Sequence, residues 1–259
     1  MSLDLFSLDG RVALVTGGAG LYGRQIVYAL AGAGARTYTA SRDVSALKRL
    51  AGEAACRESV YPLHLDLASE DSILRLRDEV QKREGGIDIL VNNAVLRPMR
   101  KGYQDDAQSF EASMRVNATG LFLITRAFGE MMIQRRAGSI INIASIQGMI
   151  GPDPNIYRDT EMHGWFPDYF FHKGGMINFT RFLASFYGRW NIRCNCISPG
   201  GFQTDSQPQA FVRQYSEKTF LSRMAGETDL MGAIIFLASD ASAYVTGVNL
   251  PVDGGYTAK

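Results

Sequence analysis

Short apolar runs rich in β-branched residues alternate with longer amphipathic stretches along the chain. The longer stretches have the spacing of helices that bury one face. The short runs predict seven strands, over residues 12–16, 36–40, 60–65, 87–92, 139–143, 192–197 and 248–252. This alternation favours an α/β fold with a doubly wound, parallel seven-stranded sheet of Rossmann type. Because no repeat or linker interrupts it, residues 1–259 are predicted to form a single domain.

Two longer segments break this rhythm. Residues 97–106 are polar and basic, and residues 150–167 contain several prolines and glycines, among them Pro152, Pro154 and Pro167. Loops of this length in a compact domain are usually functional or disordered. We therefore expect substrate contacts in these two segments.

The composition and charge exclude several classes of partner. With 27 Lys+Arg and 26 Asp+Glu, the net charge of +1 provides no long-range field to hold nucleic acid or an anionic membrane. The N-terminus lacks a signal-peptide pattern, and no run of about 18 apolar residues occurs. We expect a soluble, cytoplasmic protein that acts on a small molecule.

The cysteines and histidines favour neither disulfides nor a metal site. Cys56, Cys194 and Cys196 are too few and too unevenly placed for a disulfide framework, and the last two lie in one apolar run. They are interpreted as thiols in a reducing compartment. The three histidines share no ligand spacing with one another or with the cysteines, so no metal is expected.

A glycine-rich turn follows the first predicted strand. Residues 16–23 have the sequence Thr-Gly-Gly-Ala-Gly-Leu-Tyr-Gly, and a helical pattern begins directly after them. Glycines in this position let the backbone approach a pyrophosphate, and the helix N-terminus offers free N–H groups to the anion. The turn therefore predicts dinucleotide binding, and the alternative is a purely structural turn.

The end of the second predicted strand bears on the choice of nicotinamide cofactor. Ser41 stands at its tip and Arg42 follows it. A carboxylate at the tip favours the ribose 2′-OH of NAD, whereas a guanidinium favours the 2′-phosphate of NADP. The sequence thus favours NADP(H), although NAD(H) stays open because Asp43 could reach the ribose or could instead cap a helix.

Tyr169 and Lys173 lie four residues apart in a helical pattern. This spacing puts both side chains on one helix face, with the ammonium near the phenol. A nearby cation stabilises the phenolate and lowers the pKa of the tyrosine, which makes it a candidate general acid/base. The alternative is a helix whose lysine only faces water.

Further motifs follow the predicted strands in order, and the ligand crevice of an open parallel sheet lies at those strand ends. With them, the chain resembles the classical short-chain dehydrogenase/reductase family over nearly its whole length. The motifs that carry the resemblance are the glycine turn, Asp66, Asn92-Asn93-Ala94, Asn117, Ser145, Tyr169 with Lys173, Pro199-Gly200, Thr204 and Val252-Asp253-Gly254-Gly255.

The resemblance implies a role for each matching residue. Tyr169 would be the general acid/base, and Lys173 would lower its pKa and bind the nicotinamide ribose. Ser145 would orient the substrate oxygen, and Asn117 would support a water-mediated proton relay. The cofactor-binding residues predicted from the turn, the second strand and the resemblance are Gly17, Gly20, Leu21, Gly23, Ser41, Arg42, Asp66, Leu67, Asn93, Ala94, Tyr169, Lys173, Pro199, Gly200 and Thr204.

Two residues depart from the family pattern and keep other activities open. Leu21 stands where classical members usually carry glycine, and Val95 replaces the glycine that commonly follows Asn-Asn-Ala. The glycine spacing resembles the extended branch, whose members are often nucleotide-sugar epimerases and dehydratases, whereas Pro199-Gly200 favours the classical branch. The alternatives to net hydride transfer are thus an epimerase or dehydratase that recycles its cofactor and a non-catalytic dinucleotide-binding sensor.

The separation of Ser145 and Tyr169, 24 residues, exceeds the usual family spacing by roughly a helix-length of chain. We interpret residues 150–167 as an inserted loop on the substrate side, similar to segments in reductases of bacterial surface-sugar modification. Its polar groups and Trp165, together with Arg97 in the other loop, favour a sugar or sugar derivative as substrate. The alternative is that both loops only make subunit contacts or face solvent.

The helix that carries Tyr169 is rich in phenylalanine and is apolar around much of its circumference. Such a helix needs burial on two sides, and the sheet covers only one of them. The resemblance implies that a homotetramer, built partly through this helix, covers the other. The alternative is a second layer formed by loops of the chain itself.

Overall fold

Seven parallel strands form the centre of the fold, which confirms the predicted doubly wound α/β class. The computed structural model describes residues 3–258, and its sheet has the order β3-β2-β1-β4-β5-β6-β7. The strands are β1 Val12–Thr16, β2 Arg36–Ser41, β3 Val60–His64, β4 Ile89–Asn92, β5 Gly138–Ile143, β6 Ile192–Pro199 and β7 Asn249–Val252.

Helices cover both faces of this sheet. They are α1 Leu21–Gly32, α2 Val44–Glu53, α3 Glu70–Glu84, α4 Ala107–Met114, α5 Leu121–Arg135, α6 Pro167–Tyr187, α7 Gln209–Ser216 and α8 Met231–Ala238. On one face, α1, α2 and α8 pack in a core with the side chains of alternate strand positions. On the other, α3, α5 and α6 form a second core. Because parallel strands are covered on both faces, β1 is buried along its whole length.

Local sequence signals define the ends of α3. The side chain of Ser69 accepts a hydrogen bond from the backbone N–H of Ser72 at 3.2 Å, which caps the N-terminus. Glu70 and Asp71 lie in the first turn, where the helix dipole favours negative charge. At the other end, Gly85 adopts φ 70°, a left-handed conformation that glycine tolerates. Its N–H donates a hydrogen bond to the backbone carbonyl of Gln81.

The predicted strand boundaries differ from the observed ones by up to two residues. Strand β4 begins at Ile89 rather than at residue 87, and Asp88, just before it, accepts a hydrogen bond from the N–H of Val12 through its carboxylate. Strand β6 runs on to Pro199, where its last positions pair with β7. Helix α6 begins at Pro167, the end of the predicted loop, because proline suits the first turn of a helix.

The strand order reverses between β1 and β4, which opens a crevice at their carboxyl ends. The loops after β1, β4, β5 and β6 all surround this crevice. The two long segments contain only single 3₁₀ turns, at Gly102–Gln104 and Pro154–Tyr157. Within residues 3–258, no helix is long and apolar enough to cross a membrane.

Candidate active site

A cleft of about 790 Å³ runs along the carboxyl edge of the sheet. At one end it is bordered by the glycine turn and by the tip of β2. At the other end it is bordered by the start of α6, by α7 and by residues 150–167. The cleft therefore joins the region expected to bind a dinucleotide to the region expected to bind a substrate.

The glycine turn leaves no room for a side chain at Gly17 or Gly23. A Cβ on Gly23 would lie 2.3 Å from the carbonyl oxygen of Gly17, and Gly17 itself has φ +69° and approaches the backbone of Ala94. Asn93 donates from its side-chain amide to the carbonyl oxygens of Thr16 and Gly17 at 3.0 and 2.9 Å, which fixes the turn. Since the N-cap of α1 is a glycine without a side-chain cap bond, the first N–H groups of the helix are available to a phosphate. These residues fit a dinucleotide pyrophosphate.

The tip of β2 presents Ser41, Arg42 and Asp43 to the cleft. Ser41 and the exposed Arg42 both line it. The carboxylate of Asp43 accepts a hydrogen bond from the N–H of Ala46 at 2.9 Å and thereby caps α2. The structure thus gives Asp43 the capping position that the sequence left open.

Tyr169 and Lys173 lie on one face of α6, one turn apart. The lysine Nζ atom is 5.6 Å from the centroid of the Tyr169 ring and donates to the backbone carbonyl of Ile143 at 2.5 Å. This contact joins α6 to the end of β5. Since Lys173 is only 3% exposed, its charge acts in a region that water screens weakly.

Several groups act together on the acidity of the Tyr169 phenol. Burial alone raises its pKa, but the positive charges of Lys173 and then Arg97 lower it, as do hydrogen bonds to Ser145 and Arg97. The lowering effects outweigh burial, so the pKa of Tyr169 lies below its ordinary value of 10.0. A phenol in this state can give up and recover a proton more readily than an ordinary tyrosine.

Ser145 lies just after β5, in a short turn that packs on α6. It follows the strand and caps a short 3₁₀ turn, since its hydroxyl accepts a hydrogen bond from the N–H of Gln147 at 3.1 Å. Gly148, at the end of that turn, packs against the backbone of Lys173, where a Cβ would come within 2.6 Å. The close packing of this turn on α6 holds Ser145 beside Tyr169.

Arg97 places a second cation at Tyr169. Its guanidinium carbon lies 4.2 Å from the centroid of the phenol ring, a cation–π arrangement. The loop that carries it is anchored by Asn117, whose amide accepts from the N–H of Leu96 at 2.9 Å and donates to its carbonyl at 2.7 Å. Asn117 lies in a π-helical turn, Arg115–Gly120, an element frequent at functional sites. Its role in a proton relay stays a prediction.

Residues 150–167 form an aromatic wall with α7. The ring of Tyr157 stacks on Phe211 at 5.6 Å, and the amide of Gln214 donates to the carbonyl of Arg158 at 2.9 Å. An ion pair between Asp153 and Lys218, 2.9 Å long, ties the beginning of the segment to the same region. The segment therefore packs as a side of the cleft.

The cleft brings together most of the predicted site residues. Asn117, Thr204 and Trp165 are not among the described residues that line it. Thr204 is engaged with Ser206 and Gln207, and Trp165 is 48% exposed. The predicted residues that line the cleft are Gly17, Gly20, Leu21, Gly23, Ser41, Arg42, Asp66, Leu67, Asn93, Ala94, Arg97, Ser145, Tyr169, Lys173, Pro199 and Gly200.

The sequence did not single out several aromatic residues that line the cleft, namely Tyr22, Phe202, Phe211, Tyr215 and Tyr256. Tyr22 stands inside the glycine turn, so its position was a signal that could have been used. The others follow β6 and β7 at separations that only the folded chain brings together.

Comparisons with known proteins match almost the whole chain. The family model described as enoyl-(acyl carrier protein) reductase matches residues 20–257. Galactitol 2-dehydrogenase (L-tagatose-forming) of Cereibacter sphaeroides is 31% identical over 98% of this chain and 97% of its own length. A gluconate 5-dehydrogenase from Burkholderia cenocepacia J2315, solved with NADP and tartrate, superposes with a TM-score of 0.88 at 32% identity over the whole of both chains.

A short-chain dehydrogenase from Leptospira borgpetersenii, solved with bound NAD+, has a TM-score of 0.84 and 30% identity, and the match covers 99% of this chain and 96% of that one. The neighbours therefore include one with NADP and one with NAD+. The chain belongs to the classical short-chain dehydrogenase/reductase family, and it is an NAD(P)-dependent dehydrogenase or reductase.

Proposed function

We propose that this enzyme transfers a hydride between NADP(H) and a carbonyl or secondary alcohol carbon of a sugar, polyol or related sugar derivative. The observation that carries the proposal is the placement of Tyr169, Ser145 and Lys173 together in the lining of the cleft, with the Lys173 Nζ atom 5.6 Å from the Tyr169 ring. When bound, the nicotinamide dinucleotide supplies or accepts the hydride.

Tyr169 acts as the general acid/base of the reaction. In alcohol oxidation its phenolate accepts the hydroxyl proton while the C–H bond breaks and the hydride departs with both electrons. In carbonyl reduction its phenol returns a proton to the oxygen. The positive charge of Lys173 stabilises the negatively charged phenolate, and the Ser145 hydroxyl orients the substrate oxygen by hydrogen bonding.

Two features at β2 support NADP(H) over NAD(H). Arg42 is exposed and lines the cleft, so its guanidinium is available to a 2′-phosphate. Asp43, the nearest candidate for a ribose 2′-OH, accepts a hydrogen bond from the N–H of Ala46.

Exchanging Arg42 for glutamine is expected to lower kcat/KM for NADPH by about tenfold and to leave kcat/KM for NADH nearly unchanged. Arg49→Gln, an exposed position on α2, is the matched control.

The substrate class is supported by the cleft and by the relatives. Arg97 offers a cation next to Tyr169, which suits a substrate with an acidic or phosphate group, and the aromatic wall with Tyr157 offers faces for a sugar ring. The relatives include a galactitol dehydrogenase and a gluconate 5-dehydrogenase, which act on compounds of this kind.

A substrate panel with a Tyr169→Phe variant tests the proposal. We expect turnover of a polyol or sugar acid with a net change at the nicotinamide absorbance band. Tyr169→Phe is expected to lose at least about a hundredfold in kcat with its dinucleotide affinity retained, since general acid/base catalysis is worth that much. Tyr103→Phe, whose ring is 80% exposed, is the control. Turnover without net absorbance change would indicate a recycling epimerase or dehydratase, and near-normal turnover of Tyr169→Phe would refute the proton role.

We also propose a cytoplasmic homotetramer. The rings of Phe122 on α5 and of Phe182 and Phe186 on α6 are 45 to 59% exposed, and a second subunit would cover them. The three cysteines are unpaired thiols, which supports the reducing compartment. Light scattering of the purified enzyme tests the assembly, and a monomer at micromolar concentration would contradict it.

A further inference from the structure

Two tyrosine hydroxyls hold adjacent backbone groups in the turn that follows β6. The hydroxyl of Tyr22 donates to the carbonyl oxygen of Gly200 at 2.8 Å. The hydroxyl of Tyr215 accepts from the N–H of Gly201 at 2.5 Å. Tyr22 lies on α1 and Tyr215 lies on α7, so side chains from two separate helices hydrogen-bond to one short turn.

Neighbouring rings fix both tyrosines. Tyr22 meets Phe202 edge-on, with ring centroids 5.4 Å apart. Tyr215 packs against Tyr256 at 4.8 Å and against Phe211 at 5.9 Å. Burial raises the pKa of both hydroxyls far above neutrality, so both stay protonated at any pH at which the enzyme works.

The turn is built to receive these hydroxyls. A Cβ on Gly201 would lie 2.9 Å from the Cε atom of Met224 and 2.9 Å from the ring of Tyr215, and a Cβ on Gly200 would lie 3.0 Å from the Cα atom of Asp253. A side chain at Gly201 would crowd the Tyr215 ring, and one at Gly200 would press on the backbone of Asp253. Two glycines in sequence therefore allow the close approach on which both hydrogen bonds depend.

The position of the turn gives these contacts a function. Tyr22 and Gly200 both line the cleft beside the glycine turn. Tyr215 also lines the cleft, in the cluster with Phe211 that continues into Tyr157 of the aromatic wall. The turn thus lies between the dinucleotide groove and the substrate wall, with one hydroxyl on each side.

We propose that Tyr22 and Tyr215 are positioning residues whose hydroxyls clamp the Gly200–Gly201 turn between the dinucleotide groove and the substrate wall. The clamp orders the turn before a ligand arrives, so that binding does not have to order it. The inference rests on the proposed function only in taking the groove as the dinucleotide site.

The size of the effect follows from ordinary hydrogen-bond strength. Loss of one such bond changes an equilibrium constant by roughly two- to tenfold. Tyr22→Phe and Tyr215→Phe each keep the ring and remove only the hydroxyl. Each is expected to raise the Kd for NADPH by about that factor. Because both act on one turn, the double variant is expected to raise Kd by clearly less than the product of the two factors.

Tyr28→Phe is the matched control. Tyr28 lies on the same helix as Tyr22, and its hydroxyl also donates to a backbone carbonyl, that of Leu50 at 3.3 Å, but it does not line the cleft. It is expected to leave the Kd unchanged. Fluorescence titration with NADPH gives the affinities. Hydrogen exchange of a peptide over residues 198–204, measured without dinucleotide, reports the order of the turn itself and is expected to quicken in both clamp variants and not in the control.

Three results would overturn the clamp: exchange and Kd both unchanged in the clamp variants, a Kd effect equal to that of Tyr28→Phe, or fully multiplicative effects in the double variant. If the wild-type protein bound neither NADPH nor NADH, the proposed function would fail instead. The exchange experiment would still decide whether the hydroxyls order the turn, because it uses no dinucleotide.

Discussion

Replacing His172 by phenylalanine is expected to stabilise the protein and to weaken the dependence of its stability on pH. The imidazole packs edge-on against the ring of Tyr169, with centroids 5.2 Å apart, and is 4% exposed. Within the part of the chain that the structure describes, neither ring nitrogen has a hydrogen-bond partner. A buried polar group without a partner costs about 1 to 3 kcal/mol, so His172→Phe should raise the free energy of unfolding by that order at pH 7.

The pH dependence follows from the charge state of His172. Burial, together with the charges of Lys173 and Arg97, lowers its pKa from 6.5 to about 3. The unfolded chain therefore binds an additional proton between these values, and the folded protein loses stability as the pH falls through that window. Between pH 7 and pH 4.5 the loss amounts to roughly 2 to 3 kcal/mol for this one residue.

Urea unfolding of both proteins at the two pH values, at one protein concentration, measures the effect. The loss of unfolding free energy between pH 7 and pH 4.5 is measured for each protein, and the loss of the variant is subtracted from that of the wild type. The contributions of all groups that the two proteins share then cancel, and the difference is the contribution of His172. His64→Gln, at an exposed position, controls for the removal of a histidine as such. Equal losses of stability in wild type and His172→Phe would contradict the lowered pKa, because they would mean that the folded protein protonates this imidazole as readily as the unfolded chain does.

Three further predictions concern the site. Lys173→Met is expected to raise the pKa of Tyr169, so the rise of kcat/KM for alcohol oxidation with pH should move to higher pH. Arg97→Met should shift the pH profile in the same direction by a smaller amount. A pH profile that does not move in either variant would contradict both predictions. Gly23→Ala should weaken dinucleotide binding by at least about tenfold in calorimetry, because its Cβ meets the carbonyl oxygen of Gly17, whereas Gly32→Ala, with open space around its Cβ, should bind normally. Asp43→Ala should destabilise the protein by about 1 kcal/mol in thermal unfolding through loss of the α2 cap, and a large fall in activity with NADH would show instead that this carboxylate serves a ribose.

The order of strands and helices could be predicted because each element carries its own periodic signal. Strand ends were less accurate, since pairing with neighbours decides them: β6 extends to Pro199 only because β7 lies beside it. The predicted loop 150–167 overlaps α6 by Pro167, because proline is common in loops but also suits the first helical turn.

Within the site, residues in local motifs were predictable and contacts across the cleft were not. The Tyr169 and Lys173 pair follows from helical spacing alone. Arg97 lies over the Tyr169 ring because its loop is fixed by a hydrogen bond between the N–H of Leu96 and the side chain of Asn117. These two residues are 21 positions apart in the sequence. The Tyr22 contact with Gly200 joins residues 178 positions apart, and no local pattern encodes it.

The proposed proton transfer depends most directly on the acidity of Tyr169. Ultraviolet titration of tyrosinate absorbance, taken as wild type minus Tyr169→Phe, isolates this one phenol. Burial raises the pKa of Tyr38 and of Tyr187 to about 12, so these two phenols ionise at higher pH. We expect a difference signal with a pKa below 10.0, whereas a signal at or above that value would show that Lys173 and Arg97 do not overcome burial.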